Sequence, residues 1–171
     1  MEFVCNAHFK GDMKRHINLK KLRDKVPNSV LHMKPRQLVI KDLLRGSIII
    51  FSSGKFRVMG CIDELDATFF VYEYTTKIND DELPTIQLQS YTAKCDIGFA
   101  VNLTKLATSS SSLDYIYEPE LFPALRICSF KPLCVNVFAT GKIMVCGLRE
   151  PEQLYSIRDK VCLICKPFMR T

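Results

Sequence analysis

Apolar and polar residues alternate along two stretches of the chain that lie about half its length apart. The stretches cover residues 48–59 and 135–146, and each consists of two β-branched or aromatic runs joined by a Ser/Thr-Gly turn. A period of two places alternate side chains on opposite faces of a strand, so each stretch predicts a β-hairpin with one apolar, core-facing side. The other side is mixed but carries large groups. It presents Ile49, Phe51, Arg57 and Met59 in the first hairpin and Asn136, Phe138, Met144 and Cys146 in the second.

A helical period follows each hairpin. Four apolar residues are spaced by three, four and three positions, which predicts one buried stripe on a helix in each half. The stripes consist of Ile62, Leu65, Phe69 and Tyr72 in the first half and Leu154, Ile157, Val161 and Ile164 in the second. Shorter helices are predicted before the hairpins, around 19–26 and 101–107, so that each half has the order β-α-ββββ-α.

The two hairpins are copies of one phrase. Phe51-Ser-Ser-Gly-Lys-Phe-Arg-Val-Met-Gly60 recurs 87 residues later as Phe138-Ala-Thr-Gly-Lys-Ile-Met-Val-Cys-Gly147. A repeat of half the chain predicts two pseudo-symmetric units, residues 1–84 and 85–171, rather than a solenoid of short periods. The predicted class is α+β, with helices on one face of an antiparallel sheet and the other face uncovered. An uncovered face that carries Phe, Met and Ile is a candidate binding surface.

Charge adds a weak indication of a polyanionic partner. The 171 residues carry a net charge of +6. Residues 10–25 hold seven Lys/Arg against two Asp, and residues 61–82 hold seven Asp/Glu against one Lys. The first segment suits phosphate and the second does not, although solvated helix faces are the simpler interpretation of both.

Cysteine spacing and motif content indicate neither a metal site nor catalysis. The N-terminus predicts no secretory signal, so we expect the eight cysteines to be reduced and to act as small hydrophobic residues. Cys162-x-x-Cys165 lacks the second pair that a zinc site needs, so no cofactor or metal is predicted. No apolar run is long enough to span a membrane. With no catalytic motif in the sequence, an enzyme is the least supported class.

Three motifs resemble one family. Ile50-Phe-Ser-Ser-Gly-Lys55, Lys94-Cys-Asp96 and Tyr117-Glu-Pro-Glu-Leu-Phe-Pro123 are similar to the core domain of the TATA-binding protein family. The resemblance spans nearly the whole chain and is strongest from about 86 to 148. It implies a saddle of about ten curved antiparallel strands with four helices on the convex side. It also implies a transcription initiation factor that bends promoter DNA by inserting apolar side chains into its AT-rich minor groove, and that recruits other factors and RNA polymerase.

The resemblance assigns roles to individual residues. The inserted side chains, or wedges, are Phe122 (followed by Pro123) with Phe138 at one end, and Phe51 with the position of Leu38 at the other. The family's base-bonding Asn positions fall on Glu2 and Ser90, and the Val positions beside them on Val4 and Thr92. Lys55, Arg57 and Lys142 are expected at phosphate or the groove rim. The other predicted DNA-contacting residues are Ile49, Met59, Asn136, Met144 and Cys146.

Departures from the family pattern leave a second hypothesis open. Glu2, Arg57, Met59 and Asn136 change groove contacts, so the fold could instead serve a transcription complex as a protein-interaction adaptor with weak or no TATA-specific DNA binding. The helix after the first hairpin is acidic where the family's is basic, which puts the usual partners in question. Such divergence suggests a virus- or parasite-encoded version, acting in the nucleus or at a viral transcription site. Whether the free protein forms a homodimer stays open.

Overall fold

The computed structural model describes residues 3–78, 84–109 and 114–170. The chain divides into two compact units. The N-terminal unit is Asn6–Gln89, and the C-terminal unit is Ser90–Thr171 together with Met1–Cys5. The division falls close to the predicted repeat boundary after residue 84, which itself stays a prediction.

Five strands and two α-helices build the N-terminal unit. The strand order is β2-β3-β4-β5-β1, and every neighbouring pair is antiparallel. A 3-10 turn over Thr76–Ile78 follows the second helix. The elements are β1 (Phe3–Asp12), α1 (Leu19–Lys25), β2 (Ser29–Met33), β3 (Arg36–Asp42), β4 (Gly46–Phe51), β5 (Lys55–Met59) and α2 (Glu64–Thr75).

The C-terminal unit repeats this arrangement with the strand order β6-β10-β9-β8-β7. Its elements are β6 (Thr85–Asp96), α3 (Leu103–Ala107), β7 (Tyr115–Ile116), β8 (Ala124–Ile127), β9 (Cys134–Phe138), β10 (Lys142–Leu148) and α4 (Gln153–Cys165), with 3-10 turns at Cys128–Phe130 and Lys166–Phe168. The ten antiparallel strands and four α-helices of the described residues confirm the predicted α+β class. They also confirm the β-α-ββββ-α order in each half. Among the described residues, no helix is long and apolar enough to cross a membrane.

Glycine makes the two hairpin turns possible. Gly54 and Gly141 have φ values of +90° and +86°, which L-residues rarely adopt. A Cβ at either position would run into a backbone carbonyl, that of Arg15 or of Phe99. The Gly54 and Gly141 N–H groups close their turns by donating to the carbonyls of Phe51 and Phe138, both at 3.0 Å. The turns predicted from the repeated phrase are therefore confirmed.

The short helices begin at matching side-chain caps. Asn18 and Asn102 each accept a hydrogen bond at 3.1 Å from the backbone N–H three residues later. Such a cap satisfies one of the N–H groups that the first turn of a helix leaves unpaired. The predicted helices around 19–26 and 101–107 are thus confirmed, although α1 ends one residue earlier and α3 begins two residues later than expected.

The predicted apolar sides of both hairpins form the core. Ile48, Ile50, Phe56 and Val58 are at most 1% exposed, and so are Val135, Val137, Ile143 and Val145. In the C-terminal unit these strand residues cluster with Leu154, Ile157 and Val161 of α4. The stripe predicted on α4 is confirmed for these three residues. Its last member, Ile164, is half-buried, and Cys165 takes the buried place.

The stripe predicted on α2 is wrong. Ile62, Leu65 and Phe69 are 73%, 67% and 58% exposed. The helix buries a different set, made up of Ala67, Phe70, Val71, Tyr74 and Thr75. Both sides of α2 carry apolar side chains, so spacing alone does not reveal which side the core requires. The repeat does reveal it, because Ala67, Phe70 and Tyr74 stand 87 residues before the buried residues of α4.

Candidate nucleic-acid interface

Each unit has an open face, by which we mean the side of its strands that alternates with the core residues. On the C-terminal open face Met144 lies opposite Asn136 on one neighbouring strand and opposite Lys94 on the other. On the N-terminal open face Arg57 lies opposite Ile49 and Lys10. Directly opposite residues point to the same side of a sheet. Pairing therefore brings together the hairpin residues that the sequence predicts at the site.

An aromatic pair marks the C-terminal open face. The ring centroids of Phe122 and Phe138 are 6.1 Å apart, with 66° between the ring planes. Phe122 is 41% exposed and Phe138 is half-buried. Phe138 follows Val137, which is fully buried on the core side, so the ring of Phe138 lies on the open side. The structure thus brings together the two rings predicted to act as wedges, with Pro123 exposed beside Phe122.

Leu38, the predicted partner of Phe51, cannot be a wedge. It lies directly opposite Ile50 and is fully buried, so it belongs to the core side of β3. The residue opposite Phe51 is Gln37. The corresponding residue opposite Phe138 is Ala124, two positions after Phe122. In the N-terminal unit the place two positions before Gln37 is Pro35, so Phe51 has no ring partner of this kind there.

The N-terminal open face is basic. An open groove beside Phe51 is lined by one carboxylate, that of Asp12 opposite Lys55, and by four cationic side chains, those of Lys10, Lys14, Lys55 and Arg57. Lys10 and Arg57 are cross-strand neighbours. Two like charges in that position destabilise a sheet by a few tenths to about 1 kcal/mol unless an anion lies between them.

The matching groove of the C-terminal unit is less charged. Lys94, Lys142 and the Asp96 carboxylate opposite Lys142 line it beside Phe138, and Met144 stands where the other unit has Arg57. Sequence reasoning predicted Lys55, Arg57 and Lys142 but missed Lys10 and Lys94. The signal was present, since Lys10-Gly-Asp12 and Lys94-Cys-Asp96 are two copies of one Lys-x-Asp motif that precede equivalent hairpins.

The strand registers revise the alignment at the start of the first half. His8 lies opposite Met59, just as Thr92 lies opposite Cys146, and Met59 and Cys146 are equivalent repeat positions. The counterpart of Thr92 is therefore His8 and not Val4, and that of Ser90 is Asn6 and not Glu2. Glu2 lies outside the described residues, and Val4 falls in β1. The Oδ1 of Asn6 accepts a hydrogen bond from the Gly60 N–H at 2.6 Å, which orients the amide.

Asn136 is buried and makes polar contacts with its neighbours. It is only 3% exposed. Its Oδ1 accepts from Nε of Arg126 at 3.5 Å, and its Nδ2 donates to Sγ of Cys134 at 3.6 Å. Arg126, which sequence reasoning missed, is exposed and lies directly opposite Asn136. Asn136 itself offers a ligand almost no accessible surface in this arrangement.

The remaining predicted residues lie where the hairpins place them. Lys55 and Lys142 are exposed directly after the turns. Half-buried positions are occupied by Ile49, Met59, Ser90, Thr92, Met144 and Cys146. Partly buried apolar groups on an open face are in position to pack against a ligand surface.

Burial shifts the pKa values of one histidine and two cysteines of the described residues. Burial lowers the pKa of His8, which favours its neutral form. Burial, with the nearby Asp66 carboxylate, raises the pKa of the Cys61 thiol to about 12, and burial does the same for Cys165. Such thiols are poor nucleophiles and poor ligands. Within residues 3–78, 84–109 and 114–170, no three His, Cys, Asp or Glu side chains form a group able to hold a metal ion.

The repeated units, the turn glycines and the aromatic pair define the class of the protein. It is an α+β chain of two repeated units, in which one face of the antiparallel strands is open. Residues 85–168 match the family described as "Transcription factor TFIID (or TATA-binding protein, TBP)". The structure resembles "Methanococcus jannaschii TBP" with a TM-score of 0.77 at 23% identity, over 97% of this chain and 98% of that one. The predicted resemblance to the TATA-binding protein family is therefore confirmed.

The chain shares low sequence identity with the curated relatives that it matches. It is 27% identical over 161 residues to TATA box-binding protein-like 2 of Mus musculus, covering 90% of this chain and 46% of that protein. It is 28% identical over 161 residues to the TATA-box-binding protein of Drosophila melanogaster, covering 90% and 45%. The chain thus spans about half the length of the curated relatives it matches, and the low identities show that it has diverged from them. The relatives belong to a family of transcription factors and not of enzymes.

Proposed function

We propose that the chain is a DNA-binding transcription initiation factor whose open faces bind the AT-rich minor groove of double-stranded promoter DNA. The single observation that carries the proposal is the exposed aromatic pair of Phe122 and Phe138 beside Lys94 and Lys142. Water does not favour exposed rings, whereas an opened base step offers a flat apolar surface on which they stack. The nearby ammonium groups are in position to meet phosphate oxygens.

In the proposed mechanism, the aromatic rings bend the duplex and the basic side chains bind its phosphates. Phe122 and Phe138 insert at a base step and unstack it, which costs a few kcal/mol. The cost is smallest at flexible pyrimidine–purine steps such as TA, so the mechanism favours AT-rich sites without reading each base. Lys10, Arg57 and Lys55 contact phosphates, and an anion between Lys10 and Arg57 removes the repulsion that these two side chains have in the free protein.

The test is selection of bound duplexes from a random pool at low salt. We expect AT-rich duplexes to be enriched and the affinity to fall steeply as salt is added. The double variant F122A/F138A should lose the enrichment. Leu163→Ala is the matched control, because Leu163 is a 72% exposed apolar residue of α4 in the same unit. Equal enrichment by wild type and F122A/F138A would contradict the proposal.

A protein-interaction adaptor on the same fold is the second candidate. The observation that favours it is the buried Leu38, which leaves Phe51 facing Gln37 with no second ring among the side chains that the structure describes. An adaptor would bind no duplex at about 50 mM salt, where phosphate contacts are strong. A direct titration of an AT-rich duplex at that salt concentration therefore separates the two candidates.

We also propose that the protein recruits other initiation factors and RNA polymerase, and that it works in the nucleus or at a viral transcription site. The support is the resemblance. Microscopy of the tagged protein in its cell tests the location. If the free protein forms a homodimer through its apolar open faces, sedimentation should show a dimer that an AT-rich duplex converts to a one-to-one complex, because duplex and partner copy would compete for the same residues.

A further inference from the structure

Helix α2 carries an exposed apolar stripe on the side that faces away from its own core residues. The stripe consists of Ile62 just before the helix, Leu65, Phe69 and the half-buried Tyr72. From Ile62 to Tyr72 it extends over eleven residues, which is about 15 Å at the rise of an α-helix. Large apolar side chains that line up in this way on a surface mark an interaction site more often than isolated ones do.

The second repeat provides an internal comparison. The positions that correspond to the stripe at the repeat offset of 87 are all exposed and all polar. They are Arg149, Glu152, Ser156 and Asp159. The fold therefore does not require apolar side chains at these positions, because the same architecture is built with polar ones. The stripe is a property of this helix and not of the scaffold.

A groove beside the stripe adds two carboxylates and one guanidinium, so its lining is negatively charged on balance. Phe69 and Tyr72 line it together with Asp66, Glu73 and Arg45. Arg45 Nη1 lies 2.7 Å from Glu73 Oε2, which holds the β3–β4 turn against α2. The same turn presents Leu43 and Leu44, which are fully exposed. Asp63 and Glu64 stand at the start of the helix, so carboxylates flank the stripe at both ends.

We propose that this α2 stripe is a docking surface for a basic amphipathic protein segment. The apolar residues supply a seat about three helical turns long, and the carboxylates select a segment whose flanking residues are Lys or Arg. The same carboxylates repel nucleic acid and anionic membranes, so the surface is separate in chemistry from the open face. The inference does not depend on the proposed DNA binding.

The test uses a defined probe. A fluorescein-labelled 14-residue peptide of Leu and Lys, with Leu at i, i+3, i+4 and i+7, is titrated with the full chain and its anisotropy is followed. A scrambled peptide of equal composition and a Leu/Glu peptide of the same pattern are the controls. We expect the patterned Leu/Lys peptide to bind at least about tenfold more tightly than either control.

Variants assign the binding to the stripe. Leu65→Glu with Phe69→Ser introduces the residues found at the corresponding positions 152 and 156 of the second repeat. It should weaken binding at least about tenfold while leaving the affinity for an AT-rich duplex unchanged. Glu64→Lys should weaken binding about threefold, mostly at low salt. Glu152→Gln with Ser156→Ala on α4 is the matched control and should change nothing. Thermal unfolding followed by circular dichroism checks that each variant folds.

Three outcomes would overturn the inference. One is equal binding of the patterned and scrambled peptides, and another is full peptide affinity in folded L65E/F69S. The third is a wild-type dimer that L65E/F69S converts to a monomer in sedimentation, which would assign the stripe to a second copy of this chain. Loss of duplex binding by F122A/F138A bears on the proposed function alone, so the two proposals fail separately.

Discussion

The two open faces share a backbone plan but differ in what they present. On the C-terminal face two rings stand together and Met144 lies opposite Lys94. On the N-terminal face Phe51 lies opposite Gln37, and Arg57 lies opposite Lys10. Under the proposed function, the first face is suited to opening a base step and the second to holding phosphate. Under that proposal, the two copies of the scaffold divide one task between them.

The largest expected effect of this asymmetry concerns the rings. Phe138→Ala should weaken binding of an AT-rich duplex about 30-fold and Phe51→Ala only about fivefold, because stacking of one ring on a base is worth roughly 1–3 kcal/mol and Phe138 acts together with Phe122. Fluorescence anisotropy at fixed salt measures both. Equal losses would mean that the two faces work alike.

Cysteine reactivity compares the open face with the core. At 90% saturation with duplex, alkylation of Cys146 by iodoacetamide should slow about tenfold, because only the free fraction reacts. Cys61 and Cys165, whose pKa values are raised to about 12, should react slowly with or without DNA. Peptide mass spectrometry follows each thiol. An unprotected Cys146 would remove it from the interface.

Exchanging Arg57 and Met144, which occupy equivalent positions of the two repeats, tests whether the basic residue accounts for the difference between the two faces. Arg57→Met copies the C-terminal unit, and it should weaken duplex binding about fivefold and lower the salt slope by about 1. It should also stabilise the free protein by about 0.2–1 kcal/mol, because the repulsion with Lys10 is removed. The reciprocal Met144→Arg, opposite Lys94, should change all three quantities in the other direction. Denaturant unfolding and salt titrations measure them.

The smallest expected effect concerns His8, the counterpart of Thr92. Burial lowers the His8 pKa in the folded state, so between that pKa and about 6.5 the unfolded chain binds more protons. The contribution of His8 to stability is therefore complete above pH 6.5 and decreases as the pH falls through this window. His8→Thr should flatten the dependence of unfolding free energy on pH between 7 and 5. An unchanged slope would show that His8 has no part in it.

Local sequence patterns were enough to predict the structure where one face of an element is plainly apolar. The hairpins and the turn glycines follow from short-range rules about alternation and positive φ. The core side of both hairpins and the buried residues of α4 follow as well. In each case the alternative arrangement would bury charge or leave backbone groups unpaired.

Local patterns failed where two faces carry similar side chains. Helix α2 is apolar on both sides, so its spacing selected Ile62, Leu65 and Phe69, whereas the core took Ala67 and Phe70. Leu38 fitted the wedge position by sequence, but pairing with Ile50 turned it inward. A shift of one residue moves every side chain of a strand to the opposite face, and only the partner strand determines the register.

The sequence by itself determined that there are two copies of one unit, where the hairpins turn and which hairpin side is buried. Those features depend on neighbours within a few residues. The tertiary structure decided that Asn6 and His8 match Ser90 and Thr92, that Lys10 faces Arg57, that Phe122 meets Phe138, and that the apolar stripe of α2 lies outside. Each of these depends on residues far apart in the chain, whose alignment only strand pairing and helix packing establish.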